Sequence, residues 1–316
     1  MNKTHSSLNR IAIVGCGVIG ASWAAYFLAQ GMSVMASDPG ENAESELYRL
    51  VQSFWPALQQ QGLKPGASLD KLTFAKNIQE AVRGAQFVQE NGPERLDIKH
   101  AIIAEIEAAA DPATLIASSS SGLLISQIQQ GAMHPERIVL GHPFNPPHLI
   151  PLVEVVGGEQ TSPDTVQRAM DFYRDIGKKP IHIQVEIAGH VANRLQAALW
   201  KEAVYLVDQG VVSVADLDVA ISHGPGLRWA LLGPFLNLHF SGGVGGIEHF
   251  LEHLGPPIED WWADLGHAPL TARTQEKIVE GVREELTSYD EAALLKKRDT
   301  LLIALLDAKK QVGDLP

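Results

Sequence analysis

His142 lies in the run Gly141-His142-Pro143-Phe144-Asn145-Pro146-Pro147, and a lone acid, Glu154, follows inside the apolar stretch Leu152-Val153-Glu154-Val155-Val156. A carboxylate flanked by branched apolar residues is costly to bury unless a charged or hydrogen-bonding partner meets it. An imidazole is the obvious partner. An acid that fixes one tautomer of a histidine makes that histidine a proton acceptor usable near neutral pH, which is general base catalysis. Asn145 stands beside two prolines that lack N–H donors and stiffen the loop, so its amide is free to hold a ligand.

A second constellation lies near the start of the chain. Gly15-Cys16-Gly17-Val18-Ile19-Gly20 follows the apolar run Ile11 to Val14 and opens the apolar segment Ala21 to Ala29. In a strand-turn-helix setting the first glycine permits the tight turn. The second lets a pyrophosphate approach the backbone, and the third allows close helix-strand packing. The helix N-terminus supplies donors and a positive dipole for the phosphates. Asp38 ends the next apolar run, where an acid bonds the adenine ribose, and Pro39-Gly40 rather than an arginine follows it. That repels a 2′-phosphate, so the expected cofactor is NAD. The run Ala117-Ser118-Ser119-Ser120-Ser121-Gly122 gathers hydroxyls at another strand end, where an open α/β sheet borders its ligand crevice.

These residues need a scaffold, and apolar periodicity supplies one. Ile11 to Val14, Ser33 to Ser37, Leu72 to Ala75, Phe87 to Glu90, Leu115 to Ser118, Ile138 to Gly141, Leu152 to Val156 and Ile181 to Gln184 are the candidate strands, with helices between them. The pattern predicts an α/β, Rossmann-type doubly wound and mostly parallel sheet over residues 1–187. The alternation stops after Gly189. Val191 to Asp208 is a long helix closed by Gly210, Ser213 is a helix cap, and Tyr289 to Lys310 keeps helical spacing, so residues 188–316 form a smaller all-α domain. Gly224-Pro225-Gly226 and Gly242 to Gly246 interrupt it as loops. Such a domain is expected to wall the substrate site and form a homodimer interface.

Composition bounds the partners. The chain has 316 residues, 45% hydrophobic and 20% charged, and a formal net charge of −12, which opposes attraction to nucleic acid or to an anionic membrane surface. A small-molecule substrate is the expected partner. The single cysteine, Cys16, excludes an intrachain disulfide framework, and no run approaches the roughly 20 apolar residues of a membrane span. The opening Met1 to Arg10 is polar, unlike a secretory signal, so the expected location is cytoplasmic. His249-Phe250-Leu251-Glu252-His253 has the H-x-x-E-H spacing of a zinc peptidase. No further ligand stands out at a sensible position, and no metal is expected.

Taken together, these motifs make the chain resemble the L-3-hydroxyacyl-CoA dehydrogenase superfamily over nearly its whole length. The resemblance rests on Gly15 to Gly20, Asp38, Gln89 to Arg95, the serine run, His142 to Pro147, Glu154, and Gly189-His190-Val191-Ala192-Asn193-Arg194-Leu195. It implies that His142 is the catalytic base and Glu154 its partner, that Ser121 bonds the reacting oxygen, and that Asn193 helps position substrate. It also implies that Glu90 and Asn145 lie beside the nicotinamide half of the cofactor. In the second half, His223-Gly224-Pro225-Gly226-Leu227-Arg228-Trp229-Ala230 departs from the fatty-acid branch and resembles the carnitine and, more distantly, the gulonate dehydrogenases (lambda-crystallin). That branch implies a small free L-3-hydroxy acid, carnitine-type first and gulonate-type second. Arg228 would fork onto a carboxylate, and Trp229, Trp261 or Trp262 would face a quaternary ammonium. The competing expectations are a short-chain 3-hydroxyacyl-CoA dehydrogenase and a non-catalytic NAD-binding structural protein.

Overall fold

The computed structural model describes residues 8–313 and Leu315. Met1 to Ser7, part of the polar run on which the expectation about a secretory signal rests, lie outside the described residues. The chain divides into two compact units, Met1–Asn193 and Arg194–Pro316.

In the first unit eight strands form one sheet: β1 (Arg10–Val14), β2 (Ser33–Ser37), β3 (Leu72–Phe74), β4 (Phe87–Glu90), β5 (Leu115–Ser118), β6 (Ile138–Pro143), β7 (Leu152–Gly157) and β8 (Lys179–His182). Their order is β3-β2-β1-β4-β5-β6-β7-β8. The chain moves outward from β1 and then crosses back to β4, so the topological switch point lies at the carboxyl ends of β1 and β4, where ligands of such sheets bind.

Helices cover both faces, which explains why the strands are nearly continuous apolar runs rather than alternating ones. Ile11 and Ile13 of β1 face one core with Trp23, Phe27 and Leu28 of α1 (Val18–Ala29), Leu47 and Val51 of α2 (Ala43–Gln61), and Phe172 and Tyr173 of α6 (Pro163–Asp175). Ala12 and Val14 face the other core, with Val82 of α3 (Ile78–Val82), Ile103 and Ile106 of α4 (Leu96–Glu107), and Ile125 and Ile128 of α5 (Ile125–Ile128). Two departures from the sequence reading concern single strands. β6 runs on through His142 to Pro143 and pairs antiparallel with β7. β8 begins two residues earlier than its apolar residues suggest, because an edge strand takes its register from the one neighbour it pairs with. Pro180 is tolerated there because an edge strand leaves one row of N–H groups unpaired.

The second unit is helical: α7 (Ala192–Asp208, whose first two residues belong to the first unit), α8 (Val214–Ser222), α9 (Pro225–Trp229), α10 (Pro234–Ser241), α11 (Gly246–Asp264), α12 (Ala272–Leu286) and α13 (Glu291–Gln311). The Ser213 side chain caps α8 by accepting the Asp216 N–H. Gly224-Pro225-Gly226, expected as a loop, instead opens α9, since proline's missing N–H is harmless in a first helical turn. Gly243–Gly245 is a single 3-10 turn between α10 and α11. Among the described residues the only buried apolar side chains of this unit are Val207, Phe250 and Ile303, whereas Phe235, Phe240, Trp261 and Trp262 are each more than 60% exposed. No helix of the described residues is long and apolar enough to cross a membrane.

Candidate active site

The antiparallel pairing of β6 and β7 sets His142 directly opposite Glu154. Side chains of residues opposed across an antiparallel pair meet, which brings the two into contact across a short connection. His142 Nδ1 and Glu154 Oε2 are 2.8 Å apart, both side chains buried. Because the carboxylate can only accept, Nδ1–H donates to it and Nε2 keeps its lone pair. The other carboxylate oxygen, Oε1, accepts the N–H groups of Val191 and Ala192, each at 2.9 Å, at the start of α7. Burial alone pushes the Glu154 carboxyl up. The bonds from His142, Ala192 and Val191 outweigh it and hold the group below the usual carboxylate range.

The turn that aims those N–H groups is made by two consecutive residues with positive φ, Gly189 (74°) and His190 (52°). His190 is a non-glycine residue held in the left-handed region, and its buried ring explains the hold. Its Nε2–H donates to the Ser120 carbonyl at 3.1 Å, and the ring lies 5.1 Å from that of His142. Burial keeps the His190 imidazole below its ordinary pKa. Asn193 Nδ2 donates to the next carbonyl, that of Ser121, at 3.3 Å. The segment Gly189 to Asn193 thus clasps the serine loop with two side chains and Glu154 with two backbone donors.

Within the serine run three hydroxyls are engaged inside the protein. Ser118 Oγ donates to Glu90, Ser119 Oγ to Asn91, and Ser120 Oγ to Glu94 at 2.6 Å. Glu94 also accepts the N–H groups of Gly122 and Leu123. Burial raises the Glu94 carboxyl, but these bonds together with Lys99 bring it below the ordinary range. Ser121 is exposed, and among the described residues its hydroxyl has no protein partner. It is the one serine of the four available to a ligand. Glu90 is fully buried, with both oxygens 2.8 Å from Lys99 Nζ and a further bond from the Gly92 N–H. Its carboxylate therefore braces the turn after β4 rather than facing outward.

At the first glycine turn, Gly15 has φ +89°, and a Cβ there would lie 2.7 Å from the Asn91 backbone. A Cβ on Gly20 would lie 1.9 Å from the Gly15 carbonyl oxygen. Gly17, by contrast, has nothing within 4 Å of that position and begins α1 with no side-chain cap. The first-turn N–H groups, including those of Val18 and Ile19, are therefore available to an anion, as a pyrophosphate requires. Asp38 accepts the Cys16 and Gly40 N–H groups, each at 2.8 Å, and so ties the end of β2 to this turn. The residues present fit a dinucleotide. The Cys16 thiol is pushed up to about 12, by burial first and Asp38 second, so it remains a packed thiol.

Asn145 is exposed in the loop after His142, and the Asn145–Pro146 peptide is cis. Lys178, buried, donates to the carbonyls of Pro147 and Ile150 and lies 3.8 Å from the Tyr26 ring centroid, anchoring that loop. Arg228 and Trp229 are exposed in α9, and the Arg228 guanidinium has no ion pair among the described residues. The roles of His190, Glu94 and Lys178 were not anticipated from the sequence. For His190 alone, a glycine followed by a polar residue before a helix start could have marked the left-handed turn, though not the bond to Ser120.

Residues 10–187 match the family described as 3-hydroxyacyl-CoA dehydrogenase, NAD binding domain, and residues 189–280 match its C-terminal domain. The chain belongs to the 3-hydroxyacyl-CoA dehydrogenase family. As a member of it, the protein is an NAD-dependent dehydrogenase. It is 44% identical over 305 residues to the L-carnitine dehydrogenase of Bacillus cereus, covering 96% of this chain and 94% of that one. It is 46% identical over 309 residues to the L-carnitine dehydrogenase of Nocardiopsis dassonvillei, covering 98% and 94%. Among solved structures, it is similar to an NAD+-dependent 5-formyl-3-hydroxy-2-methylpyridine 4-carboxylic acid 5-dehydrogenase. There the identity is 32%, the TM-score 0.80, and the coverage 97% of this chain and 99% of that one.

Proposed function

We propose that this dehydrogenase oxidises the 3-hydroxyl of a small free L-3-hydroxy acid, carnitine first and gulonate-type acids second, to the 3-keto compound. The observation that carries the reaction is the buried His142–Glu154 pair. NAD, when bound, supplies the hydride acceptor. The chain's own residues do the rest. His142 Nε2 takes the hydroxyl proton, and Glu154, fixed by two backbone donors, offsets the charge that appears on the imidazole. Ser121 Oγ donates to the reacting oxygen, and Asn193, already tied to the Ser121 carbonyl, orients the substrate beside it. Asp38 receives the adenine ribose and Asn145 borders the nicotinamide, while Glu90 acts through the turn it braces. Residues 188–316 are the substrate and dimerisation domain.

Full-length similarity to L-carnitine dehydrogenases supports the choice of substrate. Arg228, an exposed guanidinium without an ion pair among the described residues, suits a bidentate carboxylate contact, and Trp229, 46% exposed, offers a face to a trimethylammonium group. NAD reduction is measured with L-carnitine, gulonate, 3-hydroxybutyrate and 3-hydroxybutyryl-CoA. The reading expects the free acids to be turned over, carnitine best; turnover confined to the thioester would overturn it. Arg228→Met should raise KM for carnitine at least tenfold with kcat little changed, and an unchanged KM would remove that residue's role. The exposed aromatic surface of the helical unit supports a homodimer. Sedimentation should show two chains, and a monomer at micromolar concentration would refute this.

A further inference from the structure

We propose that one turn of α11 is a binding site for a divalent transition-metal ion of the zinc class, held by His249, Glu252 and His253. One ligand atom from each of these exposed residues lies within 4.8 Å of the other two. Positions i, i+3 and i+4 share one helical face, and this is the arrangement that lets a single helix offer several ligands to one metal. A tetrahedral ion with bonds of about 2.0–2.1 Å holds its ligands about 3.3 Å apart, so side-chain rotations of roughly 1 Å complete the set.

Three features of the helix favour the ion. His253 Nδ1–H donates to the His249 carbonyl at 3.1 Å, which leaves Nε2 as the free ligand atom in a fixed tautomer; metal-bound histidines generally have such a partner on the other nitrogen. The two rings already lie 4.0 Å apart. The helix carries five carboxylates, Glu248, Glu252, Glu259, Asp260 and Asp264, and no lysine or arginine, so no built-in cation competes within it.

The turn that follows is mechanically weak. Pro256 and Pro257 sit inside α11 and have no N–H to give to the carbonyls of Glu252 and His253. A metal joining residue 249 to residue 253 clamps the turn immediately before the one that loses those bonds. The site thus stabilises the helical unit and takes no part in hydride transfer.

The test uses the full chain, stripped with a chelator and titrated with zinc chloride by calorimetry while thermal unfolding is followed in parallel. One zinc per chain should bind, with a rise in Tm. His249→Ala and His253→Ala should each weaken binding at least tenfold and abolish the rise, and Glu252→Gln should weaken it less. Carnitine turnover should stay at the wild-type value in all three. Equal zinc affinity in the wild type and the His249→Ala/His253→Ala double variant would overturn the proposal, as would no saturable binding to the wild type.

Discussion

Glu154→Gln separates the charge of the acid from its shape. The carboxamide oxygen can keep the Val191 and Ala192 N–H groups that Oε1 accepts now, which turns the amide nitrogen toward His142. That nitrogen donates, so His142 Nδ1 must become the acceptor and its proton moves to Nε2, the atom that should receive the substrate proton. A base in the wrong tautomer loses about 10⁴-fold in rate in the best-studied comparable arrangement. Charge alone gives a similar scale. An imidazolium and a carboxylate bonded at 2.8 Å have charge centres about 4 Å apart, worth about 4 kcal/mol at an effective dielectric of 20, or roughly three decades in rate. The expected result is a fall of 10³–10⁴ in kcat with carnitine, while NAD affinity, followed by fluorescence titration, stays within about threefold. A variant retaining more than a tenth of wild-type kcat would refute the tautomer and charge reasoning together.

Three further outcomes follow from the structure. Gly20→Ala places a methyl 1.9 Å from a backbone oxygen that cannot move without opening the Gly15 turn. It should weaken NAD binding more than tenfold and lower stability by about 1–3 kcal/mol, measured by titration and chemical denaturation. Acid should weaken the first unit through Glu154: its carboxyl lies below the unfolded value of about 4.3, so its contribution is present above that pH and is lost as pH falls through the lower folded value. Glu154→Gln should flatten that limb of the stability profile. Burial pulls Lys178 down to about 7, against about 10.4 when unfolded. Between those values the unfolded chain binds the extra proton, so stability should rise with pH, by at most on the order of 4–5 kcal/mol. Lys178→Met should remove that rise, and an unaltered slope in denaturation curves from pH 7 to 10 would contradict the assignment.

Much of the fold was visible in the sequence because both faces of the sheet are covered. A strand such as Ile11 to Val14 must then be apolar throughout, and the flanking glycines and prolines mark its ends. The reversal at β7 was also implicit. The connection from Pro143 to Leu152 is too short for a parallel crossover, which needs a dozen or more residues. The His142–Glu154 contact was foreseeable because the acid has no other reason to lie among valines. The clasp was not: the bond from His190 to the Ser120 carbonyl joins residues 70 positions apart, and no local pattern specifies it. Nor was the Lys178 anchor, which depends on Trp23, Tyr26 and the loop after His142 converging around one buried amine. Gly224-Pro225-Gly226 shows the reverse failure, since residues that usually break a helix here begin one.

The central claim is that His142 Nε2 receives the alcohol proton. Purified His142→Ala, assayed with saturating NAD and carnitine near neutral pH, measures it directly. Turnover should fall at least 10³-fold with NAD affinity within a few fold of the wild type; a folded variant that reduces NAD at close to the wild-type rate would contradict it.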